Sequence, residues 1–258
     1  MQVVRFTAGN DPKYAVLKDD SSSLVVLKGD PLYQQVEPSG QLVTVEDVRF
    51  LSPVIPRSKV VAVAKNYHAH AAEMGGEVPS QPMLFFKPNT SVIGPDDPIV
   101  LPAWSQEVHY EAELAVVIKT LCKDVKAENY RDVVFGYTVA NDVSARDAQR
   151  EDGQWARAKG FDTSCPLGPG IVVDPDFLEQ DRQITTRVNG EVVQSGSTKD
   201  MVFGVPELIE YISAAFTLLP GDVILTGTPV GVGPIEAGDR VECSVEGIGT
   251  LANPVVRR

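Results

Sequence analysis

The segment His109-Tyr110-Glu111-Ala112-Glu113-Leu114 carries two carboxylates two positions apart. The apolar, β-branched run that follows, Leu114–Ile118, predicts a strand, and side chains two apart in a strand share a face. Glu111 and Glu113 should therefore point the same way, with His109 in line behind them. Two ionised carboxylates on one face repel unless they are solvated or share a cation. Taken alone, the pair also fits the solvated face of an edge strand. Asp142 adds a third carboxylate at the end of the apolar run Val133–Ala140, an expensive place for a lone charge. Three carboxylates from two strand ends make an all-oxygen set suited to Mg²⁺ or Mn²⁺. Zinc fits less well, because thiolates and clustered imidazoles are missing from the set.

A candidate base lies further upstream. In Asn66-Tyr67-His68-Ala69-His70-Ala71-Ala72-Glu73-Met74 the sequence predicts a short helix over His68–Met74. His70 and Glu73, three apart, are neighbours on its surface. A carboxylate beside an imidazole fixes its tautomer and raises its basicity, so the pair could activate water or carry a proton. It could equally be a polar surface pair. Cationic and polar groups able to hold an anionic substrate are Lys87, Arg146, Gln149 and Lys159. Arg146 and Gln149 follow Asp142 by four and seven, which places them on one face of a helical turn. Each could instead be a solvated charge. Thr226-Gly227-Thr228-Pro229-Val230-Gly231-Val232-Gly233 follows a strand but lacks the Gly-Lys-Ser/Thr ending of a phosphate loop, so it reads as a tight turn or an anion-binding loop.

The elements that must position these groups are mostly strands. Val60–Lys65, Met83–Phe86, Leu114–Lys119, Val134–Ala140, Ile184–Val188, Glu191–Gln194, Asp222–Thr226, Arg240–Val245 and Thr250–Val256 have strand character. Asn189-Gly190 is a strong hairpin signal. Val205–Ala215 predicts the one long helix, with Pro206 near its start. Strands and helices do not alternate, which argues against a doubly wound sheet or an eightfold barrel. The fold class is therefore mainly β (α+β). Residues 1–52 form a small N-terminal β unit with strands at Gln2–Phe6, Tyr14–Lys18 and Leu24–Leu27, the first two separated by a turn at Gly9-Asn10-Asp11-Pro12. Residues 53–258 form the second unit, entered through two prolines, Pro53 and Pro56.

Composition narrows the function classes. With 23 basic and 35 acidic residues among 258, the chain carries a formal charge of -12, which disfavours nucleic acid and anionic membranes as partners. No apolar run approaches the ~20 residues of a spanning helix. The N-terminus lacks the apolar core of a signal peptide, so a cytoplasmic protein is expected. Cys122, Cys165 and Cys243 form no CxxC pair and read as small buried apolar residues.

Tyr110-Glu111-Ala112-Glu113-Leu114, followed by Asn141-Asp142-Val143-Ser144-Ala145-Arg146-Asp147, resembles the metal motif of the fumarylacetoacetate hydrolase family. The resemblance spans residues 53–258. It implies a mixed β-sandwich roll, a homodimer, and Glu111, Glu113 and Asp142 as metal ligands. Relatives often carry a carboxylate where this chain has His109, whose implied role is indirect or none. Asn-Tyr-x-x-His-x-x-Glu resembles the lid segment of the family's oxaloacetate decarboxylase and acylpyruvate hydrolase branch, with His70 and Glu73 in the dyad positions and His68 a bystander. The resemblance further implies that Lys159 contacts substrate and enolate. It makes Arg146, Gln149 and Thr228 substrate-binding residues, with Lys87 a further candidate.

The expected activity is metal-dependent C–C cleavage or decarboxylation of a small 2-oxo or β-diketo acid through an enolate. Closure of residues 68–80 about Gly75 and Gly76 would exclude water. Isomerisation of 2-hydroxyhepta-2,4-diene-1,7-dioate is the alternative enzymatic reading. A non-catalytic dicarboxylate binder is the reading from another class, weakened by the His70–Glu73 pair, which a binder does not need.

Overall fold

The computed structural model describes residues 1–9 and 11–257; Asn10, part of the expected turn at 9–12, and Arg258 lie outside the described residues. The strand expected at Leu114 runs over Ala112–Ile118, and all seven of its residues are buried. It is flanked by Val134–Asn141 and Val223–Leu225, both antiparallel to it. Near-continuous apolar sequence is what a strand covered on both faces requires. The sheet continues from Val223–Leu225 to Val60–Ala64, in parallel, and then to Met83–Lys87. On the other side Val134–Asn141 pairs with Cys165–Val172.

The N-terminal strands extend this same sheet. Gln2–Thr7 pairs with Cys165–Val172, and Lys13–Leu17, Ser23–Leu27 and Pro38–Thr44 follow outward. They keep an apolar cluster of their own, built on Val4, Phe6, Ala15, Leu24 and Val26.

A second sheet has five strands, in the order Glu191–Ser197, Gln183–Val188, Arg240–Val245, Gly249–Arg257 and Ile99–Leu101. Its hairpin turns at Asn189 and Gly190, with φ of 52° and 86°, the left-handed pair that an Asn-Gly turn supplies. Leu114, Val116 and Val139 of the first sheet share one core with Ile184, Val241 and Leu251 of the second. The helix Val205–Ala215 adds Leu208, Ile209 and Ile212 to that core. The mixed β-sandwich roll expected from the resemblance is the observed architecture. Among the described residues no helix is long and apolar enough to cross a membrane. The three cysteines are free and buried.

A candidate metal and proton-transfer site

Antiparallel pairing assembles the carboxylates. Ala112 is in register with Asn141, so Glu111 and Glu113 flank the strand end from which Asp142 emerges. The Asp142 N–H donates to Glu111 O at 2.9 Å, and the Glu111 N–H donates to Asn141 Oδ1 at 2.9 Å. One carboxylate oxygen each from Glu111, Glu113 and Asp142 falls within a 4.8 Å cluster, and all three residues are buried.

The local backbone differs from the expected single strand. The chain breaks at Glu111: Val108–Tyr110 belongs to a small separate sheet with Ser144–Ala145 and Gly233–Pro234. His109 therefore does not line up behind the carboxylates. Its Nε2 lies 3.5 Å from Glu107 Oε1 instead. Burial, and then Arg146, hold its imidazole below the ordinary histidine pKa.

Three cations hold two members of the triad, Glu111 and Asp142. Lys159 Nζ donates to Asp142 Oδ2 at 2.6 Å and to Glu111 Oε2 at 2.8 Å. Arg146 pairs with Glu111 and donates through its other nitrogen to Gln149 Oε1 at 2.9 Å. Lys87 donates to Asp142 Oδ1 at 2.6 Å and to the Lys159 carbonyl. Burial opposes ionisation of Glu111, but Lys159 and Arg146 outweigh it and hold the carboxyl below its usual range. Glu113 is the contrasting member. Burial, then the charges of Asp142 and Glu111, push its carboxyl well above the usual range.

Glu113 receives an N–H from Gly227 at 2.6 Å. Gly227 sits at φ +94°, and a Cβ there would stand 2.8 Å from Asn66 Cβ, so this close approach requires glycine. Buried oxygen donors that repel one another and open onto a cavity are what a hard divalent cation relieves, so the residues present fit such an ion.

His70 brings the proton chemistry to the same place. Its helix runs His68–Glu73, and its Nδ1 lies 3.0 Å from Glu73 Oε2. The other Glu73 oxygen accepts the Gly231 N–H at 3.0 Å. Asn66 ties the approach to this helix to distant loops, donating to Phe203 O at 3.0 Å and Thr226 O at 2.8 Å.

His70, the three carboxylates, Arg146, Gln149, Lys159 and Thr228 all line one cavity of about 210 Å³. Phe85 and Trp155, in edge contact at 5.6 Å, supply an apolar wall to it. Lys87, expected at the substrate, does not line it. The ammonium is committed to Asp142 and the Lys159 carbonyl, and the residue is 1% exposed. Thr228 is on the wall, but its hydroxyl already donates to Ala112 O and accepts from Gln194 Nε2, each at 2.8 Å.

Sequence reasoning missed Gln194, which also accepts the Ala112 N–H at 3.2 Å and so supports the backbone between the two glutamates. A lone glutamine in a strand carries no signal for that role. Lys65 and Arg150, which also line the cavity, were missed as well. The first adjoins the Asn-Tyr motif and the second follows Gln149, so proximity was the available clue.

Residues 59–256 match the family model described as fumarylacetoacetate (FAA) hydrolase C-terminal, and residues 1–53 match one described as Rv2993c-like, N-terminal. The chain belongs to the fumarylacetoacetate hydrolase family, a family of enzymes. It is 57% identical over 213 residues to protein Rv2993c of Mycobacterium tuberculosis, covering 82% of this chain and 80% of that one. It is 48% identical over 220 residues to the human mitochondrial oxaloacetate tautomerase FAHD2A, covering 81% of this chain and 70% of the other. The crystal structure of 5-carboxymethyl-2-hydroxymuconate delta-isomerase from Mycobacterium smegmatis superposes with a TM-score of 0.91 at 48% identity, over 100% of both chains.

Proposed function

We propose that the cavity binds a small 2-oxo dicarboxylate and interconverts its keto and enol forms, oxaloacetate being the simplest such substrate. The observation that carries this is the placing of His70 and Lys159 on one cavity wall surface with the three carboxylates. Keto–enol exchange needs a base for a C3 proton, a path for that proton to return, and positive charge where the enolate oxygen develops. Glu111, Glu113 and Asp142 would hold Mg²⁺ or Mn²⁺, which supplies positive charge for the substrate's carboxylate and 2-oxo oxygens.

The chain supplies the rest. Glu73 accepts from His70 Nδ1, which leaves Nε2 free to take and return the proton. Lys159, kept cationic by Asp142 and Glu111, adds charge beside the developing enolate. Arg146 holds Glu111 and positions Gln149. Phe85 and Trp155 restrict water on one side.

The sequence ranks C–C cleavage or decarboxylation first. Similarity to a tautomerase and to an isomerase, each 48% identical, supports placing keto–enol exchange ahead of cleavage. Cleavage or decarboxylation remains the second reading, because the His70–Glu73 pair could equally activate a water for hydrolytic cleavage, and the same positive charge would stabilise the enolate left when CO₂ departs. Stopped-flow decay of enol absorbance, with pyruvate assayed in parallel, separates the two. Faster enol decay with total oxaloacetate conserved supports tautomerisation; stoichiometric pyruvate supports decarboxylation. A homodimer is part of the same reading, and light scattering at twice the chain mass tests it.

A further inference from the structure

Four Lys or Arg residues line the cavity: Lys65, Arg146, Arg150 and Lys159. Three are already neutralised. Arg146 pairs with Glu111, Lys159 with Glu111 and Asp142, and Arg150 with Glu107. Lys65 differs. Among the described residues no carboxylate lies within ion-pairing distance of it, and it carries no hydrogen bond through its side chain.

Its setting is unusual in a second way. Lys65 is half-buried and sits at φ +55°, the left-handed region that a lysine rarely adopts. The strand Val60–Ala64 fixes the chain before it, and the buried Asn66 side chain fixes the chain after it. The ammonium is thus delivered from a constrained backbone. It lies against Gly76, where a Cβ would stand 2.7 Å from Lys65 Nζ.

A half-buried cation without a partner is compensated when a ligand brings the anion. The carboxylate nearest the 2-oxo group belongs at the triad, on the reading of the preceding section. A second carboxylate, at the other end of the substrate, then has one uncommitted cation in the cavity wall to meet. We infer that Lys65 is the specificity-determining residue that selects dicarboxylates over monocarboxylic 2-oxo acids, by pairing with the distal carboxylate.

The test compares Lys65→Gln and Lys65→Arg with the unaltered chain, on oxaloacetate and on 2-oxobutyrate, which has a methyl group in place of the distal carboxylate. Lys65→Gln should raise KM for oxaloacetate by about 10- to 100-fold, the weight of one charge-assisted contact, with a much smaller change in kcat. The kcat/KM preference for oxaloacetate should collapse by the same factor, and Lys65→Arg should restore most of it. Equal losses on both substrates, or no loss on oxaloacetate, would overturn the assignment.

Calorimetry on the Mg²⁺-loaded protein with the unreactive pair malate and 2-hydroxybutyrate makes the result independent of turnover. A malate preference that Lys65→Gln abolishes supports Lys65 even if oxaloacetate is not converted, in which case the proposed reaction fails alone. Equal affinity for both ligands in the unaltered protein sinks the role of Lys65 whatever the reaction.

Discussion

His70 Nδ1 and Glu73 Oε2 lie 3.0 Å apart on one turn of a six-residue helix, while the second Glu73 oxygen accepts the Gly231 N–H. The carboxylate that orients the imidazole is therefore held by the loop at Gly231 as well as by its own helix. Glu73→Gln keeps the shape but lets the amide donate as well as accept, so the tautomer of His70 is no longer fixed. We expect kcat to fall by about 10- to 100-fold with KM little changed, and His70→Ala to lose ~10²–10⁴ in kcat. Steady-state kinetics on oxaloacetate checks both.

Glu113 is the carboxylate under most repulsion, pushed up by burial and by Asp142 and Glu111. Glu113→Gln removes that repulsion and keeps an acceptor for the Gly227 N–H. In chelator the variant should melt at the same temperature as the unaltered chain or higher. Adding Mg²⁺ or Mn²⁺ should raise the Tm of the unaltered chain and leave the variant's where it was. An equal metal-induced rise in both would show that Glu113 is not a ligand.

Lys87 supports Asp142 from outside the cavity. Lys87→Met breaks a buried ion pair and should cost about 3–5 kcal/mol of stability by denaturant unfolding. Metal affinity should weaken by about 10- to 100-fold, because Asp142 loses its orientation. A variant that kept its stability and metal affinity but lost substrate affinity would restore the direct substrate role that the sequence suggested.

Burial pushes the Cys165 and Cys243 thiols up to about 12. Thiol reagents near pH 8 should leave both unmodified in the native protein and label all three cysteines once it is unfolded. A folded pKa above the unfolded one contributes stability that is present below the unfolded value. It is lost as pH rises from about 9 toward 12 through the folded value. Melting temperature against pH should fall across that window, and less steeply after Cys243→Ala.

Much of this site is legible in the sequence, because local pattern and chemistry coincide there. The run Leu114–Ile118 reads as a strand from its β-branched apolar residues, and the helix Val205–Ala215 carries its apolar residues at helical spacing. Other features were hidden for identifiable reasons. Cys165–Val172, with Pro166, Gly168, Pro169 and Gly170, is absent from the expected strands, yet it is the strand that joins the N-terminal unit to the main sheet.

Pairing partners far apart in sequence decide such cases, and they leave no local trace. The break at Glu111 arises because Val108–Tyr110 pairs with Ser144–Ala145 and Gly233–Pro234 rather than with the main sheet. Lys87 and Lys159 look alike as residue types, and in the sequence it is the family resemblance that ranks Lys159 first. The packing adds that Lys87 backs Asp142 while Lys159 also lines the cavity.

Deuterium incorporation at C3 of oxaloacetate in D₂O, followed by NMR with Mg²⁺ present, tests the central claim most directly. The protein should accelerate exchange, and chelator or His70→Ala should each remove the acceleration while total oxaloacetate stays constant. Exchange no faster than in buffer with Mg²⁺ alone, or acceleration that persists in His70→Ala, would contradict it.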